Sequence, residues 1–119
     1  MTQKGEFLEK FNEAFARSDI NFILENVTED ISWIAVGDFS VKGKVAFSKA
    51  LDKMKSEQAY HINIKNIITH GDSAAVDGIM KMSAGDKKYA FCDIYKFSGF
   101  KNPKVKELTS YVIEVNGTT

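Results

Sequence analysis

The segment Lys88–Phe97 (KYAFCDIYKF) constrains the fold of this chain more than any other stretch. Side chains alternate across a β-strand with a period of two, so this segment predicts a strand with two different faces. One face carries four aromatic side chains and a single carboxyl group, namely Tyr89, Phe91, Asp93, Tyr95 and Phe97. A carboxylate among rings is costly to bury unless it is protonated or hydrogen-bonded. The strand therefore predicts either a lined cavity or a buried polar network, which the rest of the chain covers.

Composition sets the outer limits of the interpretation. The chain has 119 residues, 44% hydrophobic and 27% charged, which suits one globular domain with one core. Sixteen basic residues balance sixteen acidic ones, so we expect neither nucleic acid nor an anionic membrane surface as a partner. Cys92 is the only cysteine, which excludes an intrachain disulfide and indicates a reducing compartment. Without the apolar run of a signal peptide or a membrane span, the sequence predicts a cytoplasmic protein.

Apolar residues at helical spacing predict three helices. The first runs roughly from Gly5 to Arg17, and Ser18-Asp19 ends it and caps a short second helix that ends near Asn26. The third ends near Ser56 and has its own apolar stripe, formed by Val45, Phe47, Ala50, Leu51 and Met54.

Period-two segments predict the strands. A turn at Glu29-Asp30 precedes a strand over Ile31–Val36, and Phe39–Lys42 is a short extended piece. Four long strands follow, joined by hairpins at Gly71-Asp72, Ala84–Asp86 and Gly99–Pro103: Tyr60–His70, Ser73–Ser83, Lys87–Ser98 and Val105–Val115. Residues 116–119 are predicted to fray. Helices followed by antiparallel strands indicate an α+β fold, with the helices packed on one face of a curved sheet.

Four segments together resemble a known superfamily. They are FNEAFARSDI at 11–20, TEDISW at 28–33, VKGKVAF at 41–47 and CDIYKF at 92–97. In this order and spacing they are similar to the nuclear transport factor 2-like superfamily, and within it to SnoaL-like proteins, over nearly the whole chain. The resemblance implies a cone, in which a strongly bent mixed or antiparallel sheet wraps around the helices and leaves a cavity at its open end. Members include isomerases, dehydratases, cyclases, hydrolases and transport adaptors, so the resemblance implies a fold rather than an activity.

The ketosteroid-isomerase-like members provide the sharpest comparison. They use an aspartate base on the first strand, a tyrosine on the first helix and an aspartic acid on a later strand, the last two donating to an oxyanion. The resemblance places the acid at Asp93, the base near Ala35 and the tyrosine near Phe11. Alanine cannot take a proton and phenylalanine has no hydroxyl, so steroid-isomerase chemistry is rejected.

The dehydratase members imply a histidine, for which His61 is the one candidate near a cavity wall. Its position is one residue out of step with Ile62 and Ile64, so an outward direction is the alternative. His61 and His70 are nine residues apart and point to opposite faces of a regular strand, so we expect no metal site. No cofactor-binding motif occurs, and we expect no cofactor.

The candidate site consists of Asp93, as a candidate catalytic residue and polar anchor, and of aromatic residues that would contact a ligand: Trp33, Phe91, Tyr95 and Phe11. The alternative is structural, with Asp93 bonded to a nearby tyrosine or backbone amide and the rings forming ordinary core. Two functional hypotheses follow. Either the cone binds a small, mostly apolar molecule, with or without acid–base chemistry on it, or the chain is a non-catalytic homodimeric module whose cavity is filled by side chains.

The homodimer is implied by the resemblance, because the outer face of such sheets often forms a dimer. Tyr111 and Ile113 on the last strand are the interface candidates, with Cys92 and Ile94 beside them. Cys92 has no neighbouring base in the sequence, so we do not expect a reactive thiol.

Overall fold

The computed structural model describes residues 2–55, 60–82, 87–99 and 103–115. Within these ranges the helices are α1 (Gln3–Arg17), α2 (Ile20–Glu25) and α3 (Lys44–Lys55). The strands are β1 (Val27–Ala35), β2 (Phe39–Lys42), β3 (Tyr60–His70), β4 (Ser73–Met82), β5 (Lys88–Phe97) and β6 (Val105–Val115). The predicted helix end at Ser56, the turn at Ala84–Asp86, the middle of the Gly99–Pro103 loop and the tail at 116–119 lie outside the described residues.

The strands form one curved, mixed sheet in the order β2-β1-β6-β5-β4-β3. Strands β3 to β6 pair antiparallel with their neighbours in sequence, whereas β1 runs parallel to β6. The predicted α+β class, with helices against one side of a bent sheet, is confirmed.

Capping residues define where the first two helices begin and end. The hydroxyl of Thr2 accepts a hydrogen bond from the Gly5 amide at 3.0 Å, which satisfies a donor at the start of α1. Ser18 ends α1 in the left-handed conformation, with a φ of 58°. The Asp19 carboxylate then accepts from the Phe22 amide at 3.3 Å and caps α2, as the sequence predicts.

The predicted turn at Glu29-Asp30 is wrong, because β1 already begins at Val27. Val27 pairs with Val105 and Ser32 pairs with Glu107, so β1 uses more residues than β6 between the two pairs. The excess is accommodated in a bulge, where Glu29 and Asp30 are exposed. The hydroxyl of Thr28 donates to the Asp30 carboxylate at 2.7 Å inside this bulge. A polar pair in a bulge has the composition of a turn, which explains the error.

The helices cover the inner face of the sheet through aromatic contacts. Phe11 on α1 meets Tyr95 on β5 with ring centroids 6.0 Å apart, and Phe15 meets Trp33 on β1 at 5.7 Å. Phe47 on α3 also meets Trp33, with ring centroids 5.4 Å apart. Trp33 thus joins two helices to the sheet and fixes the space between them.

None of the described helices combines the length and the apolar character that crossing a membrane requires.

Candidate functional site

A cavity of about 900 Å³ lies between the helices and the inner face of the sheet. Most of its wall is apolar, with Trp33, Phe39, Met54, Ile62, Phe91 and Leu108 among the lining residues. Three exposed charged residues, Asp38, Lys49 and Lys53, also border it, so the cavity reaches the protein surface. Its size and apolar wall are typical of small-molecule sites.

Asp93 is the carboxyl group of the inner wall. It keeps partial exposure and lines the cavity, in the middle of the aromatic face of β5. The side chains of Ser110 and Tyr95 act on it as hydrogen-bond donors and lower the pKa of its carboxyl. Ser110 lies directly opposite Asp93 in the β5–β6 register, and Tyr95 lies two residues further along the same strand face. Sheet geometry alone therefore brings these three polar groups together.

A second layer of donors supports the two hydroxyl groups. The indole Nε1–H of Trp33 donates to Ser110 Oγ at 3.1 Å. The Asn12 amide nitrogen donates to Tyr95 Oη at 3.0 Å and to the Leu8 carbonyl oxygen at 2.8 Å. Each hydroxyl oxygen therefore accepts one hydrogen bond, from Trp33 or from Asn12, and its own hydrogen remains available for Asp93.

The environment changes the proton affinity of Asp93. Burial raises the pKa of its carboxyl from 3.8 to about 6, against the opposite effect of the hydrogen bonds from Ser110 and Tyr95. Burial, and then the negative charge of Asp93, raises the pKa of Tyr60 and of Tyr95. At neutral pH the site therefore holds an ionised Asp93 and two protonated phenols.

The structure brings together four of the five predicted site residues. Trp33, Phe91, Asp93 and Tyr95 all line the cavity. Trp33 bonds to Ser110 and thereby reaches Asp93 only indirectly.

Phe11 differs from the prediction, since it is fully buried and is not among the lining residues. Its ring packs between those of Phe7 and Phe15, each 5.4 Å away, and against Tyr95. The helix therefore presents Asn12 and Phe15 to the cavity, and Phe11 holds α1 against the sheet from behind.

The resemblance to catalytic members of the superfamily also pointed to Ala35 and His61. Neither of these residues places a base in the cavity. Ala35 does line the wall, at the place that the resemblance gives to the base, and contributes only a methyl group. His61 is exposed and does not belong to the cavity lining; it borders a shallow depression with Glu9, Glu13 and Arg17 instead. His61 thus points outward, which is the alternative that the sequence analysis gives for it.

Sequence reasoning missed Asn12, Tyr60 and Ser110. Asn12 is a polar residue between apolar neighbours of the α1 stripe, and Tyr60 shares its strand face with Ile62, so both could have been found from periodicity. Ser110 could not, because its position opposite Asp93 depends on the β5–β6 register. That register shifts between Lys96 and Phe97, before a loop whose geometry the sequence does not specify.

These features define a cone of the nuclear transport factor 2-like type, with a polar group deep in an apolar cavity. The sequence pattern of the SnoaL-like domain family matches residues 8–107, and the chain belongs to this family. The predicted family is therefore confirmed. No curated protein is significantly similar to the chain in sequence.

Solved structures agree on the fold. A nuclear transport factor 2-like protein of unknown function from Cytophaga hutchinsonii is 24% identical, with a TM-score of 0.72, covering 92% of this chain and 98% of its own. A SnoaL-like protein from Shewanella putrefaciens, described as a candidate polyketide cyclase, has a TM-score of 0.84 at 14% identity, covering 94% and 80%. An LEH-like epoxide hydrolase from Mycobacterium tuberculosis has a TM-score of 0.75 at 14% identity, covering 92% and 81%. At these identities the likeness establishes the fold alone.

Proposed function

We propose that the protein binds a small, mostly apolar molecule in the cavity, with Asp93 as its polar anchor. The observation that carries this proposal is the cavity of about 900 Å³ with a single carboxyl group in its aromatic inner wall. A few polar groups in an otherwise apolar pocket fix the orientation of a ligand, while apolar burial supplies most of the affinity.

Any acid–base chemistry in this cavity would run through Asp93. Its pKa of about 6 lies close to neutrality, where a carboxyl group can both take and return a proton. The alanine at the family's base position and the outward direction of His61 leave Asp93 as the one carboxyl group of the inner wall among the described residues, since Asp38 is exposed at the rim. With one proton acceptor in the site, an isomerase, dehydratase or cyclase step requires the substrate or water to supply the second acid–base group.

Binding of indene, a rigid apolar bicycle, tests the proposal by titration calorimetry. We expect Ala50→Phe to weaken binding about tenfold or more, because Ala50 lines the cavity and a ring there would occupy its volume. The matched control is Val45→Phe, which adds the same ring to the side of α3 where Val45 is 73% exposed. Absence of binding to the unchanged protein, or equal binding to Ala50→Phe, would contradict the proposal.

A second candidate function is that of a homodimeric module. It is favoured by the outer face of the sheet, where large apolar side chains are exposed: Ile34, Ile68, Ile94, Tyr111 and Ile113. Contiguous apolar patches of this kind typically mark interaction surfaces. The size of the cavity speaks against the filled interior that this hypothesis also assumed. Dimerisation and ligand binding use opposite faces of the sheet and are compatible. A cytoplasmic location also stays a prediction, supported by the free thiol of Cys92.

A further inference from the structure

We propose that Asp93 acts as the hydrogen-bond acceptor of the cavity and selects apolar molecules that present an N–H or O–H donor. This inference rests on the proposed function, since it assumes that the cavity takes an apolar molecule. It differs from the role that the resemblance gives to this strand position, where an aspartic acid donates to an oxyanion.

The direction of the hydrogen bonds carries the argument. The indole of Trp33 can only donate, so Ser110 Oγ accepts from it at 3.1 Å and turns its own hydrogen toward Asp93. Asn12 donates to Tyr95 Oη at 3.0 Å, so the phenol hydrogen likewise faces Asp93. Two relays of donors thus converge on one carboxyl group, which is the arrangement that stabilises its ionised form.

The acceptor capacity of Asp93 is only partly used. A carboxylate offers about four lone-pair positions, of which the hydroxyls of Ser110 and Tyr95 fill two. Neither ion pair among the described residues involves Asp93. The free positions border the cavity. Hydrogen bonds to charged groups are stronger than those between neutral groups, so a ligand that brings a donor gains more there than one that brings an acceptor or nothing.

The remaining lining restricts the charge of the ligand. At the rim the charged side chains of Lys49 and Asp38 have opposite signs. Deeper in the cavity the wall is made of Phe91, Trp33 and other apolar groups. Burying a charged group against this apolar wall is costly, so the ligand class is a neutral apolar molecule with one donor.

Three bicyclic probes of nearly identical shape separate this inference from the proposed function. Indole carries one N–H donor, benzofuran carries only an oxygen acceptor, and indene carries neither. At pH 7.5 we expect calorimetry to show indole binding about tenfold or more tightly than the other two, because hydrogen bonds to charged groups are the stronger ones. Equal affinities would overturn the inference and leave the proposed function standing. Failure of all three to bind would overturn both.

The Asp93→Asn variant keeps the shape of the side chain and removes its charge. We expect the preference for indole to fall about tenfold and benzofuran to gain relative to indene, because the carboxamide can donate. The control is Asp77→Asn on the outer face of the neighbouring strand, where Asp77 Oδ1 accepts from Asn66 at 2.9 Å. Circular dichroism verifies that each variant is folded. An unchanged indole preference in Asp93→Asn would overturn the inference.

Lowering the pH provides an independent measurement on the unchanged protein. The groups that line the cavity with Asp93 and carry or can carry charge are Tyr60, Tyr95, Asp38, Lys49 and Lys53. We expect the indole preference to shrink as the pH falls from 7.5 through about 6, where Asp93 takes up its proton. None of the three probes titrates in this range. A preference that persists unchanged at pH 4.5, or that shrinks equally in Asp93→Asn, would contradict the assignment to Asp93.

Discussion

At the scale of single residues, the site is organised by the cost of a buried charge. Asp93 sits among rings, and its pKa of about 6 records that burial outweighs the two hydrogen bonds it accepts. At neutral pH the folded protein therefore contains Asp93 as an ionised carboxylate, although the protonated acid would destabilise the folded state less. A carboxyl group under such conditions is typical of a site where a ligand supplies the missing interactions.

This cost predicts an unusual dependence of stability on pH. The pKa of Asp93 is raised from 3.8 to about 6 in the folded protein. The stabilising contribution of Asp93 to the free energy of unfolding is therefore fully present below pH 3.8 and is lost as the pH rises through 6. Each pKa unit corresponds to about 1.4 kcal/mol, so the loss is ~3 kcal/mol at most. Denaturant unfolding at several pH values should show Asp93→Asn gaining stability relative to the unchanged protein between pH 4 and pH 7. A constant difference between the two proteins would contradict the burial of this charge.

The hydroxyl of Tyr95 provides a second test at this scale. Tyr95→Phe removes a donor to Asp93 and an acceptor for the Asn12 amide, both in the buried network. We expect the free energy of unfolding to fall by about 1–3 kcal/mol, since buried polar groups lose their partners. Tyr89→Phe, on the same strand face, is the control, because none of the described residues hydrogen-bonds to its hydroxyl. Equal effects of the two substitutions would show that the network adds nothing to stability.

Periodicity was sufficient to predict which residues of β1 and β5 face the interior. Trp33, Phe91, Asp93 and Tyr95 line the cavity because alternation along a strand fixes the face of each side chain. Phe11 was wrongly predicted to line the cavity, because the apolar face of α1 spans several residues around the helix. The apolar pattern alone does not distinguish the residue that faces the cavity from its neighbour on the same face. The partners of Asp93 depend on how strands pair across a loop, which is a property of the whole sheet.

At the scale of elements, Gly78 allows the sheet to bend. It is buried on β4, opposite Ile64, where the register of β3 shifts between Ile64 and Asn66. A Cβ atom on Gly78 would overlap the carbonyl oxygen of Asn63 and lie 3.0 Å from the Cα of Ile64. The bulge in β3 therefore approaches β4 more closely than any side chain permits.

Gly78→Ala should consequently destabilise the protein by about 1–3 kcal/mol or more, because backbone atoms would have to move. The control is Gly71→Asn in the β3–β4 turn, where φ is 58° and no atom lies within 4 Å of an added Cβ. Asparagine tolerates that conformation, so we expect a change within about 1 kcal/mol. Thermal unfolding of the two variants measures the difference. A harmless Gly78→Ala would mean that β3 relaxes without cost and that its close approach is not required.

The sequence predicted most elements to within a few residues, and its clearest failure lies at the start of β1. The strands β3, β5 and β6 follow from clear period-two patterns between turn residues. The start of β1 was missed because a bulge interrupts the alternation there and exposes two acidic residues, Glu29 and Asp30. A bulge near the start of a strand hides its first residues from a pattern search, whereas the bulge inside β3 leaves alternating residues on both sides of it.

At the scale of the whole molecule, the inner and outer faces of one sheet have different roles. The inner face is closed by α1 and α3 around the cavity, whereas the outer face has no covering element among the described residues. Ile94, Tyr111 and Ile113 are 37%, 49% and 67% exposed there, on adjacent strands. A surface so apolar on a protein without net charge favours self-association.

We therefore expect a dimer through the outer face at micromolar concentration. A two-fold interface places the same patch on both copies, so a double substitution Tyr111→Lys and Ile113→Lys would bring like charges together from both sides. Sedimentation velocity should show a dimer for the unchanged protein and a monomer for this variant. The control is Val45→Lys, which places a lysine on an exposed apolar position of α3. A monomeric unchanged protein would contradict the dimer, while indene binding by the monomeric variant would show that the cavity works without a partner.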